Sequence, residues 1–302
     1  MSAACLGESM PLPSSVADLV RQFRAQKPAR IWSLIVTLYG DAIVPRGGSL
    51  WVGSLIDIMA LFGIDAGHVR TAISRLASDG WLTSEKRGRA SYYRLSKRGE
   101  GVFLAATQRI FFDETPPFDG RLRLVLLGSG LADPAGLRRA LKDAGCAAFS
   151  ASAYLSLNDL PPALVRRRGL QVLRVPVDAG VRAVAAAAWK FDTLAAAYDA
   201  FVDRFAALEQ APADGPLAPD AALVARTLLI HAFRRIVLRD PGLPAVLLPP
   251  QWPGHAARRR AGAIYRRLLA PSEAYLDAHA RNTHGPLPPP GPDLARRFAT
   301  GD

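Results

Sequence analysis

The residues in this chain that are best suited to chemistry are suited to contact with phosphates and base edges. Val69, Ala72, Ile73 and Leu76 recur at i, i+3, i+4 and i+7, the spacing that lines one face of a helix. With about 100° of rotation per residue, Thr71 and Ser74 point away from that face, and His68, Arg70 and Arg75 flank the outward side. Arginines separated by short polar groups fit a helix laid against DNA. The guanidinium reaches base edges or phosphates, while Thr and Ser allow close approach. A second cluster follows at once: residues 81–98 hold Lys86, Arg87, Arg89, Arg94, Lys97 and Arg98 against Glu85 alone. Positive charge is thus gathered where a nucleic-acid backbone would lie.

A third group stands late in the chain. Between 226 and 267 nine arginines face the single acid Asp240, and Arg226 and Arg234 fall inside the most apolar stripe of a helix near 220–239. Buried arginines need partners. With His231, Arg235 and Trp252 they would make an anion pocket with an apolar wall, or else a structural network in which Trp252 is a core anchor. Other patterns fail on inspection. Gly128-Ser129-Gly130-Leu131-Ala132-Asp133 imitates a dinucleotide fingerprint, but Asp133 replaces the last glycine and reads better as a helix cap before Pro134. The five histidines give no i, i+4 pair with an acid between them, and Gly7-Glu8-Ser9 and Gly47-Gly48-Ser49 lack the second glycine of a nucleophile elbow. Two cysteines, Cys5 and Cys146, are too few for a disulfide framework or a thiolate metal site. No enzyme, metal or cofactor is expected.

The elements that must position these groups follow from periodicity. Three short helices, over 30–40, 51–62 and from the cap Asp65 to Gly80, precede a change to period two at Trp81–Ser84 and Ala90–Leu95, which with a glycine turn is a β-hairpin. This is the layout of a winged helix-turn-helix, in which the third helix enters the major groove. A linking helix covers 96–112. Strand 121–127, helix 133–144, strand or strands 147–157 and strand 170–177 suggest a small ferredoxin-like α/β unit. Helices near 189–210, 220–239, 254–269 and 272–282 complete a helical region. The expected organisation is an α+β multidomain chain: a flexible start over 1–25, a winged helix-turn-helix over 26–112, a ferredoxin-like α/β middle domain over 118–183, a helical C-terminal domain over 184–283 and a flexible Pro-rich tail over 284–302. The 302 residues, half of them hydrophobic with a net charge of +12, fit several globular domains and an anionic partner. No apolar run reaches membrane-spanning length and no secretory start is visible, so a cytoplasmic location is expected, with no membrane partner.

Three blocks in this order resemble the PaaX family of bacterial repressors of phenylacetate catabolism. They are Val69-Arg70-Thr71-Ala72-Ile73-Ser74-Arg75-Leu76 with Gly80-Trp81-Leu82; Gly88-Arg89-Ala90-Ser91-Tyr92-Tyr93-Arg94-Leu95; and His231-Ala232-Phe233-Arg234-Arg235 followed by Asp240-Pro241-Gly242-Leu243-Pro244 and Trp252-Pro253-Gly254. The resemblance covers nearly all of residues 30–283. It implies that the middle unit serves association, that the protein is a homodimer, and that double-stranded operator DNA is released by an acyl-CoA effector, typically phenylacetyl-CoA or another aryl-CoA. Competing readings are a nucleic-acid-processing enzyme built on the middle unit, disfavoured because Gly128 stands where a metal-binding aspartate would be, and an architectural DNA binder without an effector.

Overall fold

The structure, a computed structural model, describes residues 12–26, 31–112, 117–129, 131, 133–209 and 215–299. Cys5, Gly130 and Ala132 lie outside them. The chain is a mixed α+β protein that divides into two units, one of residues Met1–Phe112, Phe201–Arg235 and Arg258–Asp302, the other of Asp113–Ala200 and Ile236–Ala257.

The first unit opens with α1 (Ser14–Ala25), whose Val16, Leu19, Val20 and Phe23 recur at helical spacing and are buried. Within the stretch expected to be flexible, residues 14–25 thus form a helix, because that stripe has a core to pack against; residues 1–11 lie outside the described residues. Helix α2 (Ile31–Leu38) is buried nearly all round and runs into a π-helical turn, Tyr39–Ile43, and a short turn Val44–Arg46. Strand β1 (Ser49–Trp51) leads to α3 (Val52–Ala60) and α4 (Ala66–Ser78). The hairpin β2 (Leu82–Arg87) and β3 (Ala90–Leu95) is joined by Gly88-Arg89, with Gly88 at φ +58°. A glycine at the first central position allows this two-residue turn, since an L side chain rarely adopts that backbone. The three strands form an antiparallel sheet in the order β1-β3-β2, and α5 (Lys97–Phe111) follows from the cap Ser96.

The second unit contains β4 (Arg121–Leu127), α6 (Pro134–Asp143), β5 (Ala147–Ala148), β6 (Ala153–Ser156), α7 (Pro162–Val165), β7 (Leu170–Pro176) and α8 (Ala179–Ala188). Its sheet has the order β5-β6-β4-β7 with every neighbour antiparallel. Val125 and Tyr154, opposite one another in register, pack with Leu137, Leu141, Cys146, Leu160 and Leu164 into one core. Asp133 caps α6 by accepting from the Gly136 amide at 2.8 Å, the role its position before Pro134 predicts.

Helices α9 (Phe191–Phe205), α10 (Pro219–Val237) and α11 (Pro253–His279) follow. Two expectations are corrected here. The helix expected to begin near 189 is preceded by α8, and the chain turns at Lys190, which has φ +53°. The two helices expected over 254–269 and 272–282 are one, continuing through Pro271. Ala257, Ala261, Ile264, Tyr265, Leu268, Tyr275 and Leu276 form one buried stripe across that proline, and their burial outweighs the roughly 3 kcal/mol that an internal proline costs. Ahead of the expected tail lies β8 (Arg281–Asn282); within the tail, the described residues 284–299 form β9 (Gly285–Pro286) and a turn at Pro292–Leu294, with Leu287, Leu294, Arg297 and Phe298 buried. The prolines remove backbone donors, yet their neighbours still carry side chains the core accepts.

Candidate nucleic-acid interface

Helix α4 begins where Asp65 accepts from the His68 amide at 3.0 Å and is packed through Val69, Ala72, Ile73 and Leu76. His68, Arg70, Thr71, Ser74 and Arg75 are all exposed, as the angular argument requires. Thr71 donates its hydroxyl to the Gly67 carbonyl at 3.0 Å, which leaves its methyl and oxygen lone pairs outward. The His68 ring is hydrogen-bonded to the Asp65 carboxylate, which this bond holds down at about 2. Arg75 stands 3.7 Å from Asp79, a loose exposed pair, and Arg70 has no polar partner among the described residues.

Lys86, Arg87, Arg89 and Arg94 on the hairpin are exposed too. Arg87 donates from Nε to Glu85 at 2.8 Å and from Nη1 to the Thr283 carbonyl at 3.2 Å, so its guanidinium is oriented; Arg94 lies 3.8 Å from Glu100. Helix α4 packs against β2. Exposed surface pairs of this kind contribute little to stability, so these cations are available for an anionic partner.

The late arginines divide. Arg226 is fully buried in an ion cluster that the composition of its own region could not reveal, since its partners lie far away in sequence. Its Nε donates to Asp41 at 2.8 Å and its Nη1 to Ser272 at 3.0 Å and to Glu273, and it lies 5.1 Å from the Tyr265 ring centre. Asp41, in the π-turn, also accepts from the Tyr265 hydroxyl at 2.8 Å and from Arg297 Nη1 at 2.9 Å. Arg46 joins the cluster through Glu273 at 2.7 Å and Asp277 at 2.8 Å. Burial alone would lower the pKa of Arg226, but the charges of Asp41, Tyr265 and Glu273 outweigh it and the net shift is upward. The charges of Arg226 are therefore already matched.

About two helical turns further on, the situation reverses. Arg234 donates from Nη2 to the Ser33 carbonyl at 3.0 Å and hydroxyl at 2.6 Å, while its Nε is buried without a hydrogen bond among the described residues. Burial, then the neighbouring Arg235, bring it down to about 10. His231 is pushed down to about 3 by burial and by Arg234 and Arg235, so its ring is neutral. Thr37 donates to the Ser33 carbonyl at 2.9 Å and thus accepts from His231 Nδ1 at 3.1 Å, which leaves Nε2 as a bare acceptor, also buried without a partner. Arg235 reaches Gln26 at 2.9 Å. Trp252 belongs to the other unit. It is buried against Phe191 at 5.3 Å and Tyr198 at 6.0 Å, and Tyr198 donates to Asp240 at 2.7 Å. Of the five residues expected to form a pocket, the structure gathers His231, Arg234 and Arg235 on one stretch of α10, commits Arg226 to the ion cluster, and places Trp252 in an aromatic core. Sequence reasoning missed Asp41, Tyr265, Glu273 and Arg297, and no local pattern marks any of them. Among the described residues no group of His, Cys, Asp and Glu is arranged to hold a metal ion, and no helix is long and apolar enough to cross a membrane.

Comparison with known proteins matches residues 30–99 to the family described as PaaX-like protein and residues 189–278 to the PaaX-like protein C-terminal domain. The transcriptional repressor PaaX of Escherichia coli (strain K12) is 34% identical over 283 residues, covering 88% of this chain and 89% of that protein. Among solved structures, the uncharacterized protein Rv0674 from Mycobacterium tuberculosis superposes with a TM-score of 0.49 at 23% identity, covering 72% of this chain and 90% of that one.

Proposed function

This chain belongs to the PaaX family of transcriptional repressors, and from that premise we propose that it is a homodimeric repressor of an aromatic-acid catabolic operon, released from its operator by an aryl-CoA thioester. The observation that carries the DNA half of this reading is the outward face of α4. Five residues chosen by angle alone are exposed there, and the basic hairpin packs behind it. Helices α2 to α4, with β1 between the first two, followed by the hairpin β2–β3 that completes the β1-β3-β2 sheet, have the order of a winged helix, so α4 is the reading helix and Lys86, Arg87, Arg89 and Arg94 belong to the wing. The strand order β5-β6-β4-β7 is that of a ferredoxin-like sheet, which supports an association domain in the second unit. A single short helix reads only a few base pairs, so a two-fold pair is needed to specify a genomic site.

For the effector, the support is the unmatched donor on α10. Arg234 Nε is buried without a hydrogen bond among the described residues, and an anionic group of coenzyme A is of the kind that accepts from it. Helix α2, which supplies Ser33 and Thr37 to these residues, also packs against α4. A ligand at α10 therefore acts on the reading helix through one intervening element. A preference of about 3 kcal/mol for the non-binding state weakens DNA binding by roughly a hundredfold.

Protection mapping on the DNA flanking the protein's own gene, repeated with phenylacetyl-CoA and with phenylacetate, tests both halves. A protected two-fold site that the thioester abolishes and the free acid leaves intact is expected. A complex indifferent to every thioester would refute effector release, and no protected site would refute the operator reading.

A further inference from the structure

The C-terminal hairpin β8–β9 has no part in the function above, yet it is fastened to the wing. Strand β8 runs beside β1, and it is seated by α3: Ser54 donates to the His279 carbonyl at 3.2 Å and accepts from the Arg281 amide at 3.1 Å. At the other end the wing itself holds the hairpin turn, through Arg87 Nη1 on the Thr283 carbonyl at 3.2 Å. Within the turn the His284 amide donates to Asn282 at 2.8 Å. Two separate fastenings thus fix a short hairpin beside β1, with its turn reached by the Arg87 side chain of the basic hairpin.

The electrostatics of this margin are one-sided. From 278 to 292 the sequence contains no acid. Two acids close in sequence to Arg87 and Arg281 are already bound to arginines, Glu85 to Arg87 and Asp277 to Arg46, each at 2.8 Å; Asp57 on α3 is exposed. Arg281 and His284 are exposed, and the Arg281 guanidinium has no partner among the described residues. A guanidinium held at the margin of a cationic surface, with these two acids neutralised, can deliver two parallel N–H groups to a phosphate.

We infer that β8–β9 is a second wing, in which Arg281 contacts a backbone phosphate of duplex DNA next to the phosphates met by Arg87 and Arg89. The inference rests on the DNA-binding reading of α4 and β2–β3. It assigns residues 281–286 to the nucleic-acid surface, and it gives Arg87 two roles, as a wing cation and as the clasp of the second hairpin. A backbone contact carries no sequence preference, so it acts on operator and mixed-sequence DNA alike.

The test is fluorescence anisotropy of the full-length protein on a labelled mixed-sequence duplex and on the mapped operator, each across a salt series, with Arg281→Ala, Arg281→Lys and Arg89→Ala. Loss of one phosphate contact lowers the slope of log affinity against log salt by about 0.9, so the wild-type advantage over Arg281→Ala shrinks roughly 3.5-fold between 50 and 200 mM salt. Arg281→Lys keeps the wild-type slope, and all three variants keep the wild-type melting temperature because these side chains are exposed. A wild-type slope for Arg281→Ala beside a reduced slope for Arg89→Ala would overturn the second wing and leave the first intact. Absence of saturable duplex binding by the wild type would overturn the DNA reading and this inference together. A chemical nuclease tethered at His284→Cys gives an independent readout: cleavage of the DNA backbone beside the wing's footprint supports the placement, and no cleavage opposes it.

Discussion

Replacing Asp41 with Ala removes a carboxylate that serves three donors at once. Arg226 Nε at 2.8 Å, Arg297 Nη1 at 2.9 Å and the Tyr265 hydroxyl at 2.8 Å all lose their acceptor, and both guanidiniums stay buried. Breaking one buried ion pair by deleting a partner costs about 3–5 kcal/mol, because the surviving charge is left without compensation. Two pairs share this carboxylate, but Arg226 retains Glu273 and Arg297 retains the carbonyls of Gly40 and Asp41, so the two losses do not add fully. About 4 kcal/mol is expected, which at 2–4 °C per kcal/mol lowers the melting temperature by roughly 8–16 °C. Deleting the opposite partner as well restores charge balance, so Asp41→Ala with Arg226→Met should be no less stable than Asp41→Ala alone. Hydrogen-exchange mass spectrometry resolved by segment is the assay, since it reports α2, α10 and α11 separately from the second unit. A cost below about 1 kcal/mol for Asp41→Ala, or single-variant costs that sum in the double variant, would refute the view that this cluster holds the first unit together.

Three further outcomes are expected. Arg70→Ala or Arg75→Ala should weaken operator binding by about 1–3 kcal/mol and relax specificity, whereas Arg89→Ala should weaken operator and mixed-sequence DNA equally; competition binding separates the two patterns. Arg234→Ala should remove the response of the operator complex to an aryl-CoA thioester, while Arg226→Met should lose stability instead; an undiminished response in Arg234→Ala would move the effector elsewhere. For pH, His231 is held at about 3 in the folded protein against about 6.5 unfolded, so between these values the unfolded chain binds the extra proton and stability falls as pH falls. The loss from this group between pH 7 and 5 is about 2 kcal/mol, and denaturant titrations of His231→Gln should show a correspondingly flatter pH dependence.

What could be read from the sequence was what local patterns determine. Asp65 and Ser96 cap the helices they precede, β4 occupies the whole stretch RLRLVLL, and the outward residues of α4 follow from its buried stripe. Such features depend on neighbours a few residues away. The arginine window from 226 to 267 was read as unbalanced because only Asp240 lay within it, whereas the acids that balance Arg226 come from Asp41 and Glu273. The segment after 284 was read as a free tail because its apolar residues are spaced singly among prolines. Leu287, Leu294 and Phe298 show no period, and only the surface they meet makes them core. The same limit hid Arg297, whose four hydrogen bonds all lead to the π-turn, its neighbour or Tyr265.

That clasp between the first helices and the last turn also governs when the protein becomes itself. Asp41 leaves the ribosome early, but its partners follow 185, 224 and 256 residues later, at Arg226, Tyr265 and Arg297. At about 5–20 residues per second, roughly 13–50 s of synthesis separate the carboxylate from its last arginine. During that interval the Asp41 carboxylate is without the three donors that bury it, and water must serve it instead. A truncated product that ends before Arg226 lacks every side-chain partner of Asp41 named above, and in competition binding it is expected to lose the operator to the full-length protein.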